Sequence, residues 1–195
     1  HEVPGQLDAG VEQVFAASYA FAALKSDGSV VTWGSDGYGG DTGDPGDPAS
    51  AAARLTSGVE RIFAADNAFA ALKADGSVVA WGDAGTGGDA GDARDGASAA
   101  AHLSSGVVQV FSTKQAFAAL KGDGSVVVWG EAGSGGNAST VADDLASGVV
   151  QVFSTGSAFA ALKGDGAVVA WGDATAGGDA ATVASRLAAG VIAFA

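Results

Sequence analysis

The sequence predicts an all-β fold, built from tandem antiparallel β-blades of the propeller type in four repeats that form an open arc or a small propeller. Three observations lead to this prediction. A core of 25 residues, first seen at Gly10 to Gly34, recurs in near-copies. Each core alternates strand-forming segments with tight turns, and both faces of its strands are apolar. Periods in the forties are typical of propeller blades and of some solenoids.

The repeat starts divide the chain into units. Successive starts, counted from Gly10, are 48, 48, 42 and 42 residues apart. The chain is therefore predicted to be one repeat array over 1–195. Its units are approximately 10–57, 58–105, 106–147 and 148–189, with 190–195 as the first strand of a fifth unit.

The fourth unit shows the strand signals clearly. Val149–Phe153 is β-branched and aromatic, and Ala158–Leu162 follows it as an aliphatic segment. Gly164–Gly166 forms a tight turn, because glycine tolerates the positive φ of a short hairpin. Val168–Trp171 then returns as the third strand. The connector of the preceding unit, Val141–Ser147, is predicted to hold one helical turn.

Both faces of these strands are apolar. Val169 and Trp171 lie on one side of the returning strand, and Val168 and Ala170 lie on the other. A sheet with one solvated face would alternate apolar and polar residues instead. Each small sheet is therefore predicted to be covered on both sides by neighbouring blades. The Phe and Trp residues that recur in every unit are predicted to be core.

Composition excludes several classes of function. The net charge is −13, from nine Lys and Arg against 22 Asp and Glu. Such a surface repels phosphate backbones and anionic lipids, so neither a nucleic-acid partner nor membrane insertion is expected. No apolar run approaches the ~20 residues of a membrane span. The chain has no cysteine, which excludes disulfides and thiol chemistry. The acidic, Gly-rich and Ala-rich composition favours an extracellular or cell-surface location.

The repeated core follows the pattern GVxQVxxxxxxFAALKxDGSVVxWGxxxxGG, with a D-G pair and a Trp-Gly pair in each copy. This pattern resembles the regulator of chromosome condensation repeat, and its short period is similar to the secreted type found in the propeller-type β-lactamase inhibitor protein. The resemblance implies blades that present loops to a protein partner and carry no side-chain chemistry. The Trp-Gly pairs are Trp33-Gly34, Trp81-Gly82, Trp129-Gly130 and Trp171-Gly172.

The chain also departs from that family. The usual histidine before the aliphatic strand is absent, and the nearest small residues are Ala20, Ala68, Ala116 and Ala158. Nucleotide exchange, chromatin binding and β-lactamase inhibition are therefore not carried over.

The two ends of the chain carry overlapping parts of the repeat. Leu187 repeats Leu7, and Val191–Phe194 repeats the strand that starts at Val11. Unpaired strand edges invite pairing with another chain, and a head-to-tail contact that does not close gives a filament. We therefore expect a non-catalytic, extracellular structural protein whose partner is itself, assembled into a filament or larger array.

Two alternatives stay open. One is that the array continues beyond the 195 residues, as a piece of a longer chain. The other is a compact propeller with Gly190–Ala195 capping one edge, which would need no self-assembly. The chain would then be a protein-binding module, inhibitor-like or adhesin-like, that uses its Gly/Asp-rich loops. Those loops follow each Trp-Gly pair and have the sequences SDGYGGD, DAGTGGD, EAGSGGN and DATAGGD.

No catalytic residues are predicted, and the chain is not expected to be an enzyme. Nucleophilic catalysis needs a base beside a nucleophile. The two histidines are His1, at the end of the sequence, and His102, in a connector where other units have unrelated residues. The D-G carboxylates occur one per repeat and are predicted to form turns.

Three sets of residues are candidates for binding or modification. Tyr19 and Tyr38 occur only in the first unit and are predicted to form a partner contact. Asn137 meets the N-x-[ST] glycosylation pattern through Ser139. No cofactor is expected, with calcium as the open alternative, because hard cations bind carboxylates in Gly-rich loops. The candidate calcium ligands are Asp41, Asp44, Asp47, Asp89, Asp92 and Asp95.

Overall fold

The computed structural model describes residues 7–43, 50–91 and 98–179. Within them the chain forms four three-stranded antiparallel sheets, each made of three consecutive strands. We call these sheets blades 1 to 4. The prediction of four antiparallel blades in an all-β fold is confirmed, whereas the fifth unit at 190–195 lies outside the described residues. The strands are β1 Val11–Ala16, β2 Ala20–Lys25, β3 Val30–Gly34, β4 Val59–Ala64, β5 Ala68–Lys73, β6 Val78–Gly82, β7 Val107–Ser112, β8 Ala116–Lys121, β9 Val126–Gly130, β10 Val149–Ser154, β11 Ala158–Lys163 and β12 Val168–Gly172.

Every blade repeats the same register. In blade 2 the central strand β5 pairs with β6 so that Phe69 lies opposite Trp81. The first strand, β4, pairs with β5, and the pairing register shifts between Val59 and Arg61. The same register and the same shift occur in the other three blades. The repeated sequence therefore places a phenylalanine opposite a tryptophan at the same register position in all four blades.

Short helices connect the blades, as the sequence predicts. The four-residue helices are α1 Ala51–Arg54, α2 Ala99–His102 and α3 Ala142–Leu145. Short 3-10 helices follow the Trp strands at Asp36–Tyr38, Ala84–Thr86, Ala132–Ser134 and Ala174–Ala176, and a further one precedes α3 at Ser139–Val141. Each connector ends at a buried leucine: Leu55, Leu103 or Leu145.

Three apolar layers lie between consecutive blades. We call the face of a blade that points to the preceding blade its front face, and the opposite face its rear face. In blade 2 the front face carries Phe69 and Trp81, which pack with Ala20 and Ala22 of blade 1. The rear face carries Ala68, Ala70 and Leu72, which pack with Val107, Val110, Phe117 and Trp129 of blade 3. Small residues on each rear face therefore receive large aromatic residues from the next front face.

A glycine in the preceding blade completes this contact. Gly39, Gly87 and Gly135 adopt positive φ values of 98°, 98° and 99°. A Cβ atom on any of them would lie 2.5–2.7 Å from the Cδ2 atom of the phenylalanine in the next blade. Their carbonyl oxygens accept hydrogen bonds from the indole Nε1 of Trp81, Trp129 and Trp171, at 3.3, 3.0 and 3.1 Å. Both the space and the conformation at these positions require glycine.

Replacing Gly87 by alanine is expected to destabilise the fold more than replacing Gly177, its counterpart in blade 4. Both glycines have positive φ, so either alanine costs about 1 kcal/mol in backbone strain. Only Gly87→Ala adds a Cβ against a fully buried ring, Phe117, whereas nothing lies within 4 Å of a Cβ at Gly177. Overpacking adds about 1–3 kcal/mol. Urea unfolding followed by circular dichroism measures the difference, and equal losses would contradict this account.

Candidate interaction surface

The front face of blade 1 is an exposed copy of a face that the other blades bury. Val14 is 56% exposed and Phe21 is 43% exposed. Their counterparts in blade 2, Ile62 and Phe69, are 4% and 0% exposed. Several large apolar side chains exposed together on one face are typical of an interaction surface. We call this surface, formed by Val11, Val14, Phe21 and Trp33, the front patch.

The front patch already has the geometry of the buried faces. The ring centroids of Phe21 and Trp33 lie 5.3 Å apart, with planes tilted by 17°. The buried pair of Phe69 and Trp81 has the same separation and a tilt of 18°. Binding at this surface would therefore require little reorganisation, which lowers the cost of association. Within the described residues, the indole Nε1 of Trp33 has no hydrogen-bond acceptor, whereas the indoles of Trp81, Trp129 and Trp171 each have one.

The rear face of blade 4 is open at the matching position. Gly39, Gly87 and Gly135 are buried by the blade that follows each of them, but Gly177 is exposed. Gly177 keeps the same conformation, with φ at 100°. Phe153 is 44% exposed, whereas its counterparts Phe15, Phe63 and Phe111 are partly buried against the next blade. We call Gly177 and Phe153 together the rear socket.

The exposed front patch differs from the sequence prediction that the Phe and Trp residues form core in every unit. Three of the four Phe–Trp pairs are buried, whereas Phe21 is exposed and Trp33 is partly exposed, and Phe153 on the rear face of blade 4 is exposed as well. The prediction that each sheet is covered on both sides holds for blades 2 and 3. The reason is positional, because a front face is buried only where another blade precedes it, and a rear face only where another blade follows it.

The structure brings Tyr19 and Tyr38 together. Tyr19 precedes β2 and Tyr38 ends the first 3-10 helix, and their ring centroids lie 5.1 Å apart. Tyr19 is 64% exposed. The equivalent positions in blade 2 are Asn67 and Thr86, so this aromatic pair is specific to blade 1. Its role as a partner contact stays a prediction.

The D-G turns hold their aspartates in a repeated hydrogen-bond arrangement. The Ser29 hydroxyl and the Ser29 amide both donate to Oδ1 of Asp27, at 2.6 and 2.9 Å. The hydroxyl contributes more than the amide, and together they hold the pKa of Asp27 below its ordinary value. The equivalent hydroxyl and amide of Ser77 and of Ser125 lower the pKa of Asp75 and of Asp123, respectively. These carboxylates act as turn formers, in agreement with the sequence prediction.

The calcium prediction is only partly covered by the described residues. Asp41 and Asp89 are exposed, and each accepts a hydrogen bond from the backbone amide two residues later. The other four candidate ligands, Asp44, Asp47, Asp92 and Asp95, lie outside the described residues. Within the described ranges, no group of three or more His, Cys, Asp or Glu side chains is placed to hold a metal ion. Calcium binding stays a prediction.

Two other predicted positions are exposed. Asn137 lies in the loop after blade 3, and its Oδ1 accepts a hydrogen bond from the Ser139 amide at 2.9 Å. Glycosylation at this residue stays a prediction. His102 is the last residue of α2, and its carbonyl oxygen accepts a hydrogen bond from Lys121 Nζ at 3.0 Å. In the part of the chain that the structure describes, no helix has the length and apolar character to span a membrane.

Comparisons with known proteins support the fold. No family model and no curated protein matches the chain. Similar solved structures include human WBSCR16, yeast RCC1 (Prp20) and the ectodomain of the receptor kinase CR4 from Physcomitrella patens, each with a TM-score of 0.52. Their identities to this chain are 20%, 18% and 16%. The alignments cover 83%, 83% and 87% of this chain and 47%, 43% and 43% of theirs.

These likenesses show a propeller-type repeat fold. The chain spans less than half the length of these three structures. Membership of the regulator of chromosome condensation family, and of its short secreted type, stays a prediction.

The aspartate turns are expected to make stability depend on pH below about 4. A lowered folded-state pKa means that the contribution is present above the ordinary value of 3.8 and is lost as pH falls through the folded-state value. A variant with Ser29, Ser77 and Ser125 replaced by alanine should melt at a lower temperature than the wild type at pH 7. This difference should shrink below pH 3.8. Thermal melts across pH 2–7 measure it, and a difference independent of pH would contradict the assignment.

Proposed function

We propose that this chain is a non-catalytic structural repeat protein that assembles head-to-tail through its terminal blades into a filament or larger array. One observation carries the proposal. The front patch of blade 1 has the residues and the ring geometry of three buried interfaces, yet it is exposed. A second copy of the chain carries the rear face that such a patch fits. The acidic composition, rich in Gly and Ala, supports a further proposal, that the assembly is extracellular or at the cell surface.

The non-catalytic part of the proposal rests on the sequence. The sequence has two histidines, His1 and His102, and the one that the structure describes, His102, is an exposed connector residue, which supports a non-catalytic role. The aspartates of the D-G turns are engaged by serine hydroxyls and amides in blades 1 to 3. Similar propeller-type folds in the comparisons are consistent with a binding or scaffolding role.

Placing a charge in the front patch is expected to abolish assembly. Val14→Asp would bury an unpaired carboxylate against apolar side chains, which costs several kcal/mol, so self-association should weaken by at least about 100-fold. Val108→Asp is the matched control, because Val108 is 55% exposed on an inner blade and Val14 is 56% exposed on the end blade. Sedimentation velocity over a concentration series measures both variants.

The Val108→Asp control should assemble like the wild type. If the two variants weaken association equally, then added negative charge is responsible and the front patch is not the interface. If the wild-type chain stays monomeric at the highest soluble concentration, the proposed assembly is wrong.

Salt is expected to strengthen self-association. Two copies that each carry a net charge of −13 repel one another, and the proposed contact is apolar and contains no ion pair. The screening length falls from about 30 Å at 0.01 M to about 8 Å at 0.15 M ionic strength, so added NaCl removes most of the repulsion. Light scattering in 10–300 mM NaCl measures the effect. An association that weakens steadily with salt would instead indicate an interface made of charge pairs.

The Tyr19–Tyr38 pair favours a second function, a protein-binding module. Tyrosine is enriched among the residues that dominate binding energy at protein interfaces. The pair is exposed, and Tyr38 lies within the first of the Gly/Asp-rich loops that vary between blades. Yeast RCC1 (Prp20) has been solved bound to Kap60. We propose the corresponding class of role, with a different protein as the partner, as the alternative for this chain.

The two functions are separable by experiment. Replacing Tyr19 and Tyr38 by serine should leave self-association unchanged, since neither belongs to the front patch. A chain that stays monomeric, and whose binding to a partner is lost in the double serine variant, would support the alternative and reject head-to-tail assembly.

A further inference from the structure

The rear socket of blade 4 repeats a site that is filled three times within the chain. At each inner junction, a glycine of one blade receives the phenylalanine ring of the next blade and accepts a hydrogen bond from its tryptophan. Gly177 occupies the same position, six residues after Trp171, as Gly39 does after Trp33. Its φ of 100° matches the 98° of Gly39. The receiving conformation is therefore formed before any ring is bound.

The missing half of this site lies at the opposite end of the same chain. Phe21 and Trp33 are stacked as the inner pairs are, but no blade among the described residues precedes them. The Trp33 indole N–H lacks an acceptor there, while a Cβ at Gly177 would meet nothing within 4 Å. A donor, a ring and a receiving glycine are thus divided between the two ends of the stack.

We infer that Gly177 is the receiving residue for a second copy: Phe21 of that copy packs over Gly177, and its Trp33 indole N–H donates to the Gly177 carbonyl oxygen. This inference rests on the proposed head-to-tail assembly and names the partner surface. The contact joins unlike faces, so all copies point in the same direction along the assembly. Each copy uses its front patch once and its rear socket once. A front-to-front dimer would leave Gly177 without a role.

Adding a methyl group at Gly177 tests the inference. At the equivalent residue Gly135, an added Cβ would lie 2.5 Å from the Cδ2 atom of Phe159. The Cβ of Gly177→Ala would occupy the corresponding position and would therefore exclude the incoming Phe21 ring. Self-association should weaken by about 100-fold. The matched control is Gly37→Ala, because a Cβ at Gly37 also meets nothing within 4 Å but lies outside the rear socket. The control should associate like the wild type.

A second variant of the rear socket keeps the test interpretable if Gly177→Ala does not fold. Phe153→Ser changes an exposed side chain of the rear socket, so it should fold and should weaken association in the same direction as Gly177→Ala. Circular dichroism and thermal melting confirm that each variant is folded before association is measured. Trp33→Phe keeps a ring but removes the N–H, and about a 10-fold loss of association is expected from the lost hydrogen bond.

Mixing complementary variants tests whether the front patch of one copy binds the rear socket of another. Phe21→Ala/Trp33→Ala has an intact rear socket, and ¹⁵N-labelled Gly177→Ala has an intact front patch. Each alone should be monomeric, and the mixture should give 1:1 heterodimers in native mass spectrometry. If the wild type assembles but Gly177→Ala assembles equally well, or if the mixture stays monomeric, this inference is wrong while the proposed assembly stands. If the wild type is itself monomeric, the proposed assembly is wrong.

Discussion

The contact of a Phe–Trp pair with a glycine of the preceding blade is the interaction on which the whole arrangement depends. A three-stranded sheet with two apolar faces leaves its aromatic residues in water unless each face packs against a second surface. The glycine provides that surface by leaving room for the ring, and its carbonyl satisfies the indole N–H that burial would otherwise leave unpaired. One repeated contact therefore supplies both apolar burial and hydrogen-bond satisfaction at every junction.

Such a stack is stabilised by contacts between neighbours, and its ends differ from its middle. Repeat proteins usually need end repeats with a polar outer face to remain soluble. Blade 1 instead presents Val14, Phe21 and Trp33, and the glycine of blade 4 is open. The net charge of −13 opposes uncontrolled association, because it repels copies at a distance without altering the apolar contact itself. In the proposed assembly, a short-range apolar contact would be balanced against long-range repulsion.

The sequence predicted the blades well, because local signals and the repeat agree. Residue type and spacing predict the strand that begins at Val149, the tight turn at Gly164–Gly166 and one helical turn within Val141–Ser147, where the structure has α3. The sequence does not distinguish the exposed Phe21 from the buried Phe69, because both lie in the same segment, AFAALK. Their burial differs only through the presence of a preceding blade, which is a property of the stack.

The sequence also does not predict that the glycines at the junctions receive a ring, because it places them simply in the Gly/Asp-rich loops. A signal was present, since Gly39, Gly87, Gly135 and Gly177 all lie six residues after a tryptophan. The function of the glycine at this position becomes clear only from the position of the next blade, which places a phenylalanine ring against it. The contact between Tyr19 and Tyr38 was equally inaccessible, because it depends on how the sheet returns the chain to the same end of blade 1.

Acrylamide quenching of tryptophan fluorescence as a function of protein concentration tests the stacking account most directly. Trp81, Trp129 and Trp171 are buried within the chain, so only Trp33 is available to a quencher. The account predicts one accessible tryptophan of four in dilute solution, and its protection, with emission at shorter wavelength, as concentration rises. An accessible fraction that stays constant up to the solubility limit would contradict the claim that a second copy covers this face.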